Sequence, residues 1–337
     1  MKKLATLIGG VAAVATLSMG AQAQTLEQVK NRGSLNCGVS TGLPGFSSTD
    51  SAGNWQGLDA DGCRAIAAAV LGNANSVSFV PLTAVERFTA LQSGEIDVLV
   101  RNTTWTLTRD ASLGLNFTGV NYYDGQGFLV STDLGVSSAL ELDGAAVCIQ
   151  SGTTTELNLA DYFRFNGMSY EPVLYDTSEQ TISGFEAGRC DVLTTDQSGL
   201  YGLRLQLSNP AGAMVLPEVI SKEPLGPVVR QGDDNWFNVV KWVHYAQLNA
   251  EEMGITMANV DEMRTSNNPE VVRLLNSNEM GAHLNLDANW AYNIVKQVGN
   301  YGEMFERTVG MGSPLQIDRG INALWVDGGL QYGMPVR

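Results

Sequence analysis

Residues 94–102 read Gly-Glu-Ile-Asp-Val-Leu-Val-Arg-Asn, and residues 188–196 read Gly-Arg-Cys-Asp-Val-Leu-Thr-Thr-Asp. Both segments share the pattern Gly-x-x-Asp-Val-Leu, and both place a polar residue, Asn102 or Asp196, five positions after the aspartate. Glycine often follows a helix end, and the apolar run after it has the length of a buried strand. The repeat therefore predicts two related lobes with one such strand in each.

Strands and helices alternate around both segments. In the first half, the sequence predicts strands at 35–39, 77–80 and 96–100, with helices at 61–71 and 83–94. In the second half, it predicts strands at 145–150, 170–175 and 190–194, with helices at 153–166 and 177–187. Thr83 with Glu86, and Thr153 with Glu156, have the spacing of capping boxes. This alternation predicts an α/β fold in which each lobe is a mostly parallel sheet flanked by helices.

The C-terminal part of the sequence has the pattern of a helical extension. Helices are predicted at 235–253, 269–276, 287–308 and 314–324. Aromatic and aliphatic residues recur there at helical spacing, which indicates packing against a core rather than a cofactor site. The sequence suggests neither a cofactor nor a metal site.

Composition excludes several classes of protein. The 337 residues exceed the usual length of one domain, which favours two lobes. The chain has 20 Lys and Arg against 35 Asp and Glu, and this formal charge of −15 argues against a nucleic-acid partner. The hydrophobic content of 44% and the charged content of 16% exclude a disordered chain.

The first 23 residues have the three parts of a secretory signal peptide. Lys2 and Lys3 form a basic start, residues 4–19 are apolar, and Ala21-Gln22-Ala23 is a small-x-small cleavage pattern. The apolar run is shorter than the roughly 20 residues that span a bilayer, so a signal peptide is favoured over a membrane anchor. The sequence therefore predicts an exported protein that begins at Gln24.

Four cysteines, Cys37, Cys63, Cys148 and Cys190, occur in this exported chain. An even number of cysteines in an oxidising compartment favours disulfides, and four cysteines allow three pairings. The pairings Cys37–Cys63 and Cys148–Cys190 would leave two separate lobes free to move. Four buried free thiols are the alternative.

Polar residues follow the repeated strands at the edge where α/β sheets bind ligands. Arg101, Asn102, Thr104 and Arg109 lie there in the first lobe, and Asp196 in the second. The planar guanidinium of an arginine suits a carboxylate, and a buried aspartate suits an ammonium group. Together they indicate an α-amino acid bound in a cleft between the lobes. The alternative is that Arg109 forms a surface ion pair and Asp196 caps a helix.

The sequence resembles the periplasmic amino-acid-binding proteins of ABC transporters, which have the two-lobed type II solute-binding fold. The matching segments are 38–46, 57–61, 90–98, 102–109, 116–118, 150–156 and 187–196. With the segment 319–325, the chain resembles the general L-amino-acid-binding branch. The resemblance implies a first lobe of residues 24–123 and 224–337, including the extension, and a second lobe of residues 124–223.

The resemblance also implies roles for individual residues. Arg109 would bind the α-carboxylate of the ligand, with Thr104 beside it. Asn102 would contact the α-ammonium group, and Asp196 would neutralise it. Thr154 would offer a main-chain N–H to the carboxylate.

Two further residues complete the predicted ligand-binding set. Gly152 precedes Thr154 in the same Gly-Thr-Thr run, and Arg101 lies beside the pocket where the family has a small residue. Leu43 stands where many members have an aromatic residue that lies against the ligand side chain. These departures leave the side-chain preference open.

The function implied by the resemblance is capture of L-amino acids of broad specificity in the periplasm. The chain would cross between the lobes near 122–126 and 220–226, so that the lobes close over the ligand. The expected protein is a monomer that delivers its ligand to an inner-membrane ABC permease, and it is not an enzyme.

Three competing functions fit parts of the sequence. Gly38-Val-Ser40-Thr-Gly42 has the pattern of a hydrolase nucleophile elbow, but a polar loop follows where that motif needs a helix. The candidate bases His244 and His283 lie far away in the helical part. A dehydratase on the same fold is the second competing function and an extracytoplasmic amino-acid sensor is the third, because a fold does not determine a function.

Overall fold

The computed structural model describes residues 25–276 and 278–337, so the predicted signal peptide lies outside the described residues. The strands are β1 Leu35–Ser40, β2 Ser48–Thr49, β3 Trp55–Gln56, β4 Val77–Leu82, β5 Val98–Leu99, β6 Leu115–Phe117, β7 Tyr122–Asp124, β8 Gln126–Ser131, β9 Ala145–Gln150, β10 Tyr170–Tyr175, β11 Val192–Asp196, β12 Ala213–Val215, β13 Glu223–Leu225 and β14 Val228–Arg230. The helices are α1 Thr25–Arg32, α2 Leu58–Leu71, α3 Arg87–Ser93, α4 Leu107–Ser112, α5 Thr154–Phe165, α6 Ser178–Glu186, α7 Gln197–Arg204, α8 Asp234–Glu252, α9 Val260–Met263, α10 Pro269–Asn276, α11 Asn278–His283, α12 Trp290–Gln297 and α13 Tyr301–Thr308.

Two five-stranded sheets have the same arrangement. The first has the order β4-β1-β5-β14-β6, and the second has the order β10-β9-β11-β8-β12. In each sheet the first three strands are parallel, and the fourth strand is antiparallel to both of its neighbours. The repeated segments form β5 and β11, the third strand of each sheet. The predicted α/β fold of two related lobes is confirmed.

A two-stranded antiparallel ribbon of β7 and β13 connects the sheets. Strand β8 of the second sheet begins just after β7, and strand β14 of the first sheet begins just after β13. The segments predicted to cross between the lobes contain these two strands. The lobe boundaries at 123/124 and 223/224 lie within the ribbon and remain a prediction.

The C-terminal helices pack on the first lobe. Helix α2 has alanines at 65 and 67–69, and α12 packs against it, while α8 contacts α2, α12 and α13. Trp236 and Trp290 are buried there. The second lobe has its own core around Phe128, Phe163 and Val192. No helix of the described chain is long and apolar enough to cross a membrane.

Two of the predicted C-terminal helices are wrong in detail. The predicted helix 287–308 is interrupted at Gly299, which has a φ of 97°, and a new helix begins after the N-cap Asn300. The segment 314–324 contains only a short 3₁₀ turn at Gly320–Asn322. Gln316 and Gly320 have positive φ, which a right-handed helix does not contain, so no regular helix runs through this segment.

The extension also contacts the ribbon. The Asn322 side chain accepts a hydrogen bond from the Tyr123 N–H at 2.7 Å and donates one to the Tyr123 carbonyl oxygen at 3.0 Å. Asn322 thus pairs with β7 in the way a further strand would. The backbone carbonyl oxygen of Asn322 accepts a hydrogen bond from the Arg319 guanidinium, which also donates to the Glu251 carboxylate of α8.

Two disulfides are present, and each lies within one lobe. Cys37 of β1 is bonded to Cys63 of α2, with 6.0 Å between their Cα atoms. Cys148 of β9 is bonded to Cys190, just before β11, with a Cα–Cα distance of 5.7 Å. The free-thiol alternative is wrong, and each bridge joins elements of a single sheet and its flanking helices.

Candidate functional site

The candidate site lies at the carboxyl ends of the parallel strands, where the two sheets face each other. Residues 101–105 follow β5 and run beside the ribbon. The Trp105 N–H donates to the Pro224 carbonyl at 2.8 Å, and the Gly226 N–H donates to the Thr103 carbonyl at 3.1 Å. A side chain at Gly226 would collide with the Gly119 carbonyl oxygen, 1.9 Å from an ideal Cβ. The site loop of the first lobe is therefore fixed to the ribbon.

Arg109 lies in α4, the helix that follows this loop, and its guanidinium reaches back to the loop. The Thr106 hydroxyl caps α4 by accepting from the Arg109 N–H at 3.3 Å. The Arg109 guanidinium donates to the Thr104 carbonyl at 2.9 Å, and the residue is buried. Burial lowers the pKa of Arg109, whereas Glu223 and Asp196 act in the opposite direction. Arg109 is thus held in one orientation while it faces Glu223 of the second crossing segment and Asp196 at the end of β11.

Asn102 has a positive φ of 31°, which few residues other than glycine adopt. Its N–H donates to the Asp59 carboxylate at 2.7 Å, and this contact fixes the turn. Asp59 is fully buried in the first turn of α2, and burial raises its pKa to about 6. The start of α2 therefore supports the loop that carries Arg101 and Asn102.

Asp196 ends β11 and is the acid that the second lobe places opposite this loop. It is buried, and burial raises its pKa well above the usual range, as do the neighbouring acids Asp124 and Glu223. A hydrogen bond with the Asn102 side chain and the positive charge of Arg87 both lower the pKa of Asp196. Asp196 thus contacts the first lobe directly.

Thr154 and Gly152 bring the start of α5 against the first lobe. The Thr154 hydroxyl donates to the Glu223 carboxylate at 3.0 Å and lies 3.3 Å from the Thr104 hydroxyl. Gly152 has a φ of 75°, and an ideal Cβ there would lie 2.9 Å from Val85. These contacts describe two lobes that are closed on each other.

The predicted capping box at this helix is wrong. The Thr153 hydroxyl donates instead to the Gln150 carbonyl at 2.7 Å, and Glu156 accepts from the Gly152 N–H. Thr83 and Glu86 do form their reciprocal hydrogen bonds, but α3 begins one residue later than this pair, at Arg87.

The structure brings all seven residues predicted to bind ligand close together between the two sheets. They are Arg101, Asn102, Thr104, Arg109, Gly152, Thr154 and Asp196. Their roles toward a ligand remain predictions.

Sequence reasoning missed other charged residues of the cleft. They are Asp59, Arg87, Asp124, Glu179 and Glu223. Asp124 and Glu223 lie in the segments predicted to cross between the lobes, and an acid in a crossing segment could have been recognised as a residue of the cleft. Arg87 follows a capping box at the carboxyl end of β4, which was a weaker signal.

The hydrolase alternative is not supported by the geometry. Ser40 is buried at the end of β1, and a turn rather than a helix follows it. His244 packs edge-on against Tyr301, and burial lowers its pKa to about 4. His283 lies on the surface near Glu279. Over the described ranges no group of three or more His, Cys, Asp or Glu residues could hold a metal ion.

Comparisons with known proteins agree with this geometry. Residues 35–278 match the family model of bacterial extracellular solute-binding proteins, family 3. The general L-amino acid-binding periplasmic protein AapJ of Rhizobium johnstonii is 58% identical over 338 residues, 99% of each chain. The glutamate/glutamine/aspartate/asparagine-binding protein BztA of Rhodobacter capsulatus is 52% identical over 339 residues, the full length of both.

A solved structure is similar over almost the whole chain. It is an ABC transporter periplasmic binding protein from Brucella ovis with glutathione bound. It is 58% identical, it covers 94% of this chain and all of its own, and the TM-score is 0.92. The chain belongs to family 3 of the bacterial extracellular solute-binding proteins.

Proposed function

We propose that this protein is the periplasmic amino-acid-binding component of an ABC transporter. The observation that carries the proposal is the pair of Arg109 and Asp196, buried on opposite sides of one cleft and within electrostatic range of each other. An α-amino acid has a carboxylate for the arginine and an ammonium group for the aspartate. Arg109 is preorganised by the first lobe, and Asp196 completes the site from the second.

The names of the relatives support this ligand class. One relative is a general L-amino acid-binding protein, and another binds four amino acids of different charge. Both names support a ligand set wider than one amino acid, so the protein captures L-amino acids of broad specificity. Both relatives are binding proteins, which favours binding over the dehydratase alternative.

Capture and release follow from closure of the lobes. A ligand binds first to Arg109 and the loop at 101–104. The second lobe then rotates about the β7–β13 ribbon, bringing Asp196 and Thr154 against the ligand and excluding water. The closed form presents a surface made by both lobes to the inner-membrane permease. The predicted signal peptide and the periplasmic relative support a periplasmic location.

A panel of L- and D-amino acids tests the proposal by thermal shift and calorimetry. A ligand present at one hundred times its Kd stabilises the folded protein by about 2.7 kcal/mol, which is a measurable rise in melting temperature. We expect several L-amino acids to give such a shift and no turnover of any of them. If none binds, the proposal is wrong. If one is converted to a product, the dehydratase alternative replaces it.

A further inference from the structure

Besides the charged residues of the cleft, one loop of the first lobe contacts the second lobe. This loop, residues 41–47, follows β1 and is called the β1 loop below. Its Thr41 hydroxyl donates to the Glu179 carboxylate of α6 at 3.4 Å. An ideal Cβ on Gly202 of α7 would lie 2.8 Å from the Pro44 carbonyl oxygen and 3.3 Å from the Pro44 Cβ. The β1 loop therefore lies against two helices of the second lobe when the lobes are closed.

Helix α7 by itself does not favour a glycine at position 202. Gly202 lies within the helix, which runs from Gln197 to Arg204, and its φ is not positive. Alanine is favoured over glycine inside a helix, because it loses less backbone freedom on folding. The three atoms nearest to an ideal Cβ at position 202 all belong to Pro44 of the first lobe. A methyl group there would therefore meet the opposite lobe before its own.

The β1 loop is fixed on the first lobe and cannot easily move aside. The Leu43 N–H donates to the Ser47 carbonyl at 2.7 Å, and the Ser47 N–H donates back to the Leu43 carbonyl at 2.9 Å. The Gly45 carbonyl accepts from the Leu58 N–H at the start of α2, at 2.8 Å. The Pro44 carbonyl thus belongs to a hydrogen-bonded turn, so a side chain at position 202 has to displace α7 instead.

Two other glycines in this contact have more tolerant surroundings. An ideal Cβ on Gly42 would collide with the Glu179 carboxylate, which is the end of a flexible side chain and can rotate away. An ideal Cβ on Gly199 of α7 would lie 3.7 Å from the Leu43 Cδ1, an ordinary van der Waals distance. Of the three glycines, Gly202 is the one that meets backbone of the opposite lobe.

We propose that Gly202 is a positioning residue for ligand binding, because it allows α7 to reach the Pro44 carbonyl when the lobes close. Asp196 is the N-cap of the same helix, about 9 Å from Gly202 along the axis at 1.5 Å per residue. A displacement of α7 at Gly202 therefore also displaces Asp196. The inference rests on the proposed function, because it assumes that the lobes are open without an amino acid and close around it.

The first test replaces Gly202 by alanine and by the longer methionine. Calorimetry uses the L-amino acid that binds most tightly to the unaltered protein. We expect Gly202→Ala to weaken binding by about 10-fold and Gly202→Met by about 100-fold or more, because extra atoms in a well-packed contact force the two surfaces apart. The melting temperature of ligand-free Gly202→Ala should equal or exceed that of the unaltered protein, because alanine favours the helix. A residue needed only for the fold would lower affinity and melting temperature together.

The second test measures closure by small-angle X-ray scattering. A saturating amino acid should reduce the radius of gyration of the unaltered protein, and it should reduce that of Gly202→Ala less. Gly199→Ala is the matched control, because it makes the same substitution in the same helix, where the nearest atom to an ideal Cβ is Thr195 Cγ2 of its own lobe at 3.3 Å. It should change affinity by less than about threefold and keep the full compaction.

The outcomes separate this inference from the proposed function. Unchanged affinity of Gly202→Ala overturns the positioning role, and so does an equal loss of affinity in Gly199→Ala. A clearly lower melting temperature of ligand-free Gly202→Ala, or its failure to fold, also overturns it, since the glycine would then serve the fold of the second lobe. Failure of every amino acid to bind the unaltered protein refutes the proposed function itself.

Discussion

The two lobes share one strand order but give the cleft opposite charges. At the carboxyl ends of its strands, the first lobe carries Arg101 and Arg109, and the second lobe carries Asp196. The same βαβ topology thus positions residues without deciding their chemistry. A repeated fold is a means of placing two different halves of a site face to face.

The lobes also differ in how firmly their site residues are held. The loop of the first lobe is bonded to β13 and supported by Asp59, and the C-terminal extension reaches β7 through Asn322. The second lobe has no comparable extension in the described structure, and its site residues meet the first lobe mainly through the cleft. We therefore expect the first lobe to form a preorganised half-site that the second lobe completes.

The largest expected effect comes from removing the paired charges. Arg109→Ala and Asp196→Ala should each weaken amino-acid binding by about 10²- to 10⁴-fold, because one buried charge loses its partner. Calorimetry on the folded variants measures this. Asp161→Asn is the control in the second lobe, since Asp161 is exposed on α5 and pairs with Arg164. Near-native affinity of either cleft variant would remove that residue from the site.

The next largest effect is on the free energy of unfolding, and it comes from removing the disulfide of either lobe. The bridges close loops of similar length, with sequence separations of 26 and 42 residues. Replacing either pair by alanine should lower the free energy of unfolding by about 3–4 kcal/mol, measured by urea denaturation. Ligand affinity of the folded variants should change less than about threefold, because neither bridge crosses the cleft. A large loss of affinity in either would contradict this independence.

A smaller effect is expected at the contact between the extension and the ribbon. Asn322→Ala leaves the Tyr123 N–H and carbonyl without their partner, which should cost about 1–3 kcal/mol of unfolding free energy. Asn166→Ala is the control, because Asn166 ends α5 on the surface and bonds only locally to Tyr162. Equal stability loss in both variants would show that the extension does not hold β7.

The smallest effect is a pH dependence that belongs to the acids facing the ammonium position. Burial raises the pKa of Asp124 to about 6, and that of Asp196 also lies well above its usual range. Asp124 is therefore partly protonated near pH 6 without ligand, and a bound ammonium group favours release of its proton. Affinity should therefore fall by about fourfold as the pH falls from 7.5 to 5.5, because a carboxyl group with a pKa of about 6 must release its proton before it can face the ammonium group. Calorimetry in buffers of different ionisation enthalpy would detect the released protons, and a pH-independent affinity would contradict the assignment.

The sequence predicted the three parallel strands of each sheet and the strand-end residues because their signals are local, whereas β6, β8, β12 and β14, which form the antiparallel pairs of the sheets, were missed. A glycine after a helix, an apolar run and a polar residue place Asn102 and Asp196 at one edge without any knowledge of the rest. Arg87 and Glu223 were missed because their burial depends on the lobes meeting. An arginine at a helix start and an acid in a crossing segment both read as ordinary surface residues until the cleft closes around them.

The errors have equally physical causes. The helix predicted over 287–308 ignored the cost of Gly299 within it, and the extension after Pro314 follows tertiary contacts rather than helical propensity. Thr153 and Glu156 have the right spacing for a capping box, but nearer backbone partners at Gln150 and Gly152 bind them instead. Propensity and spacing say what is locally favourable, and the surrounding chain then selects among the options.

Both disulfides join cysteines that are consecutive along the chain, Cys37 to Cys63 and Cys148 to Cys190. A chain that crosses a membrane from its N-terminus exposes the first pair completely before the second pair emerges. An oxidant that acts on thiols in order of appearance therefore makes the native bridges directly, without the exchange steps that rearrange wrong pairings. We expect correct oxidative folding of this protein in cells that lack a disulfide isomerase.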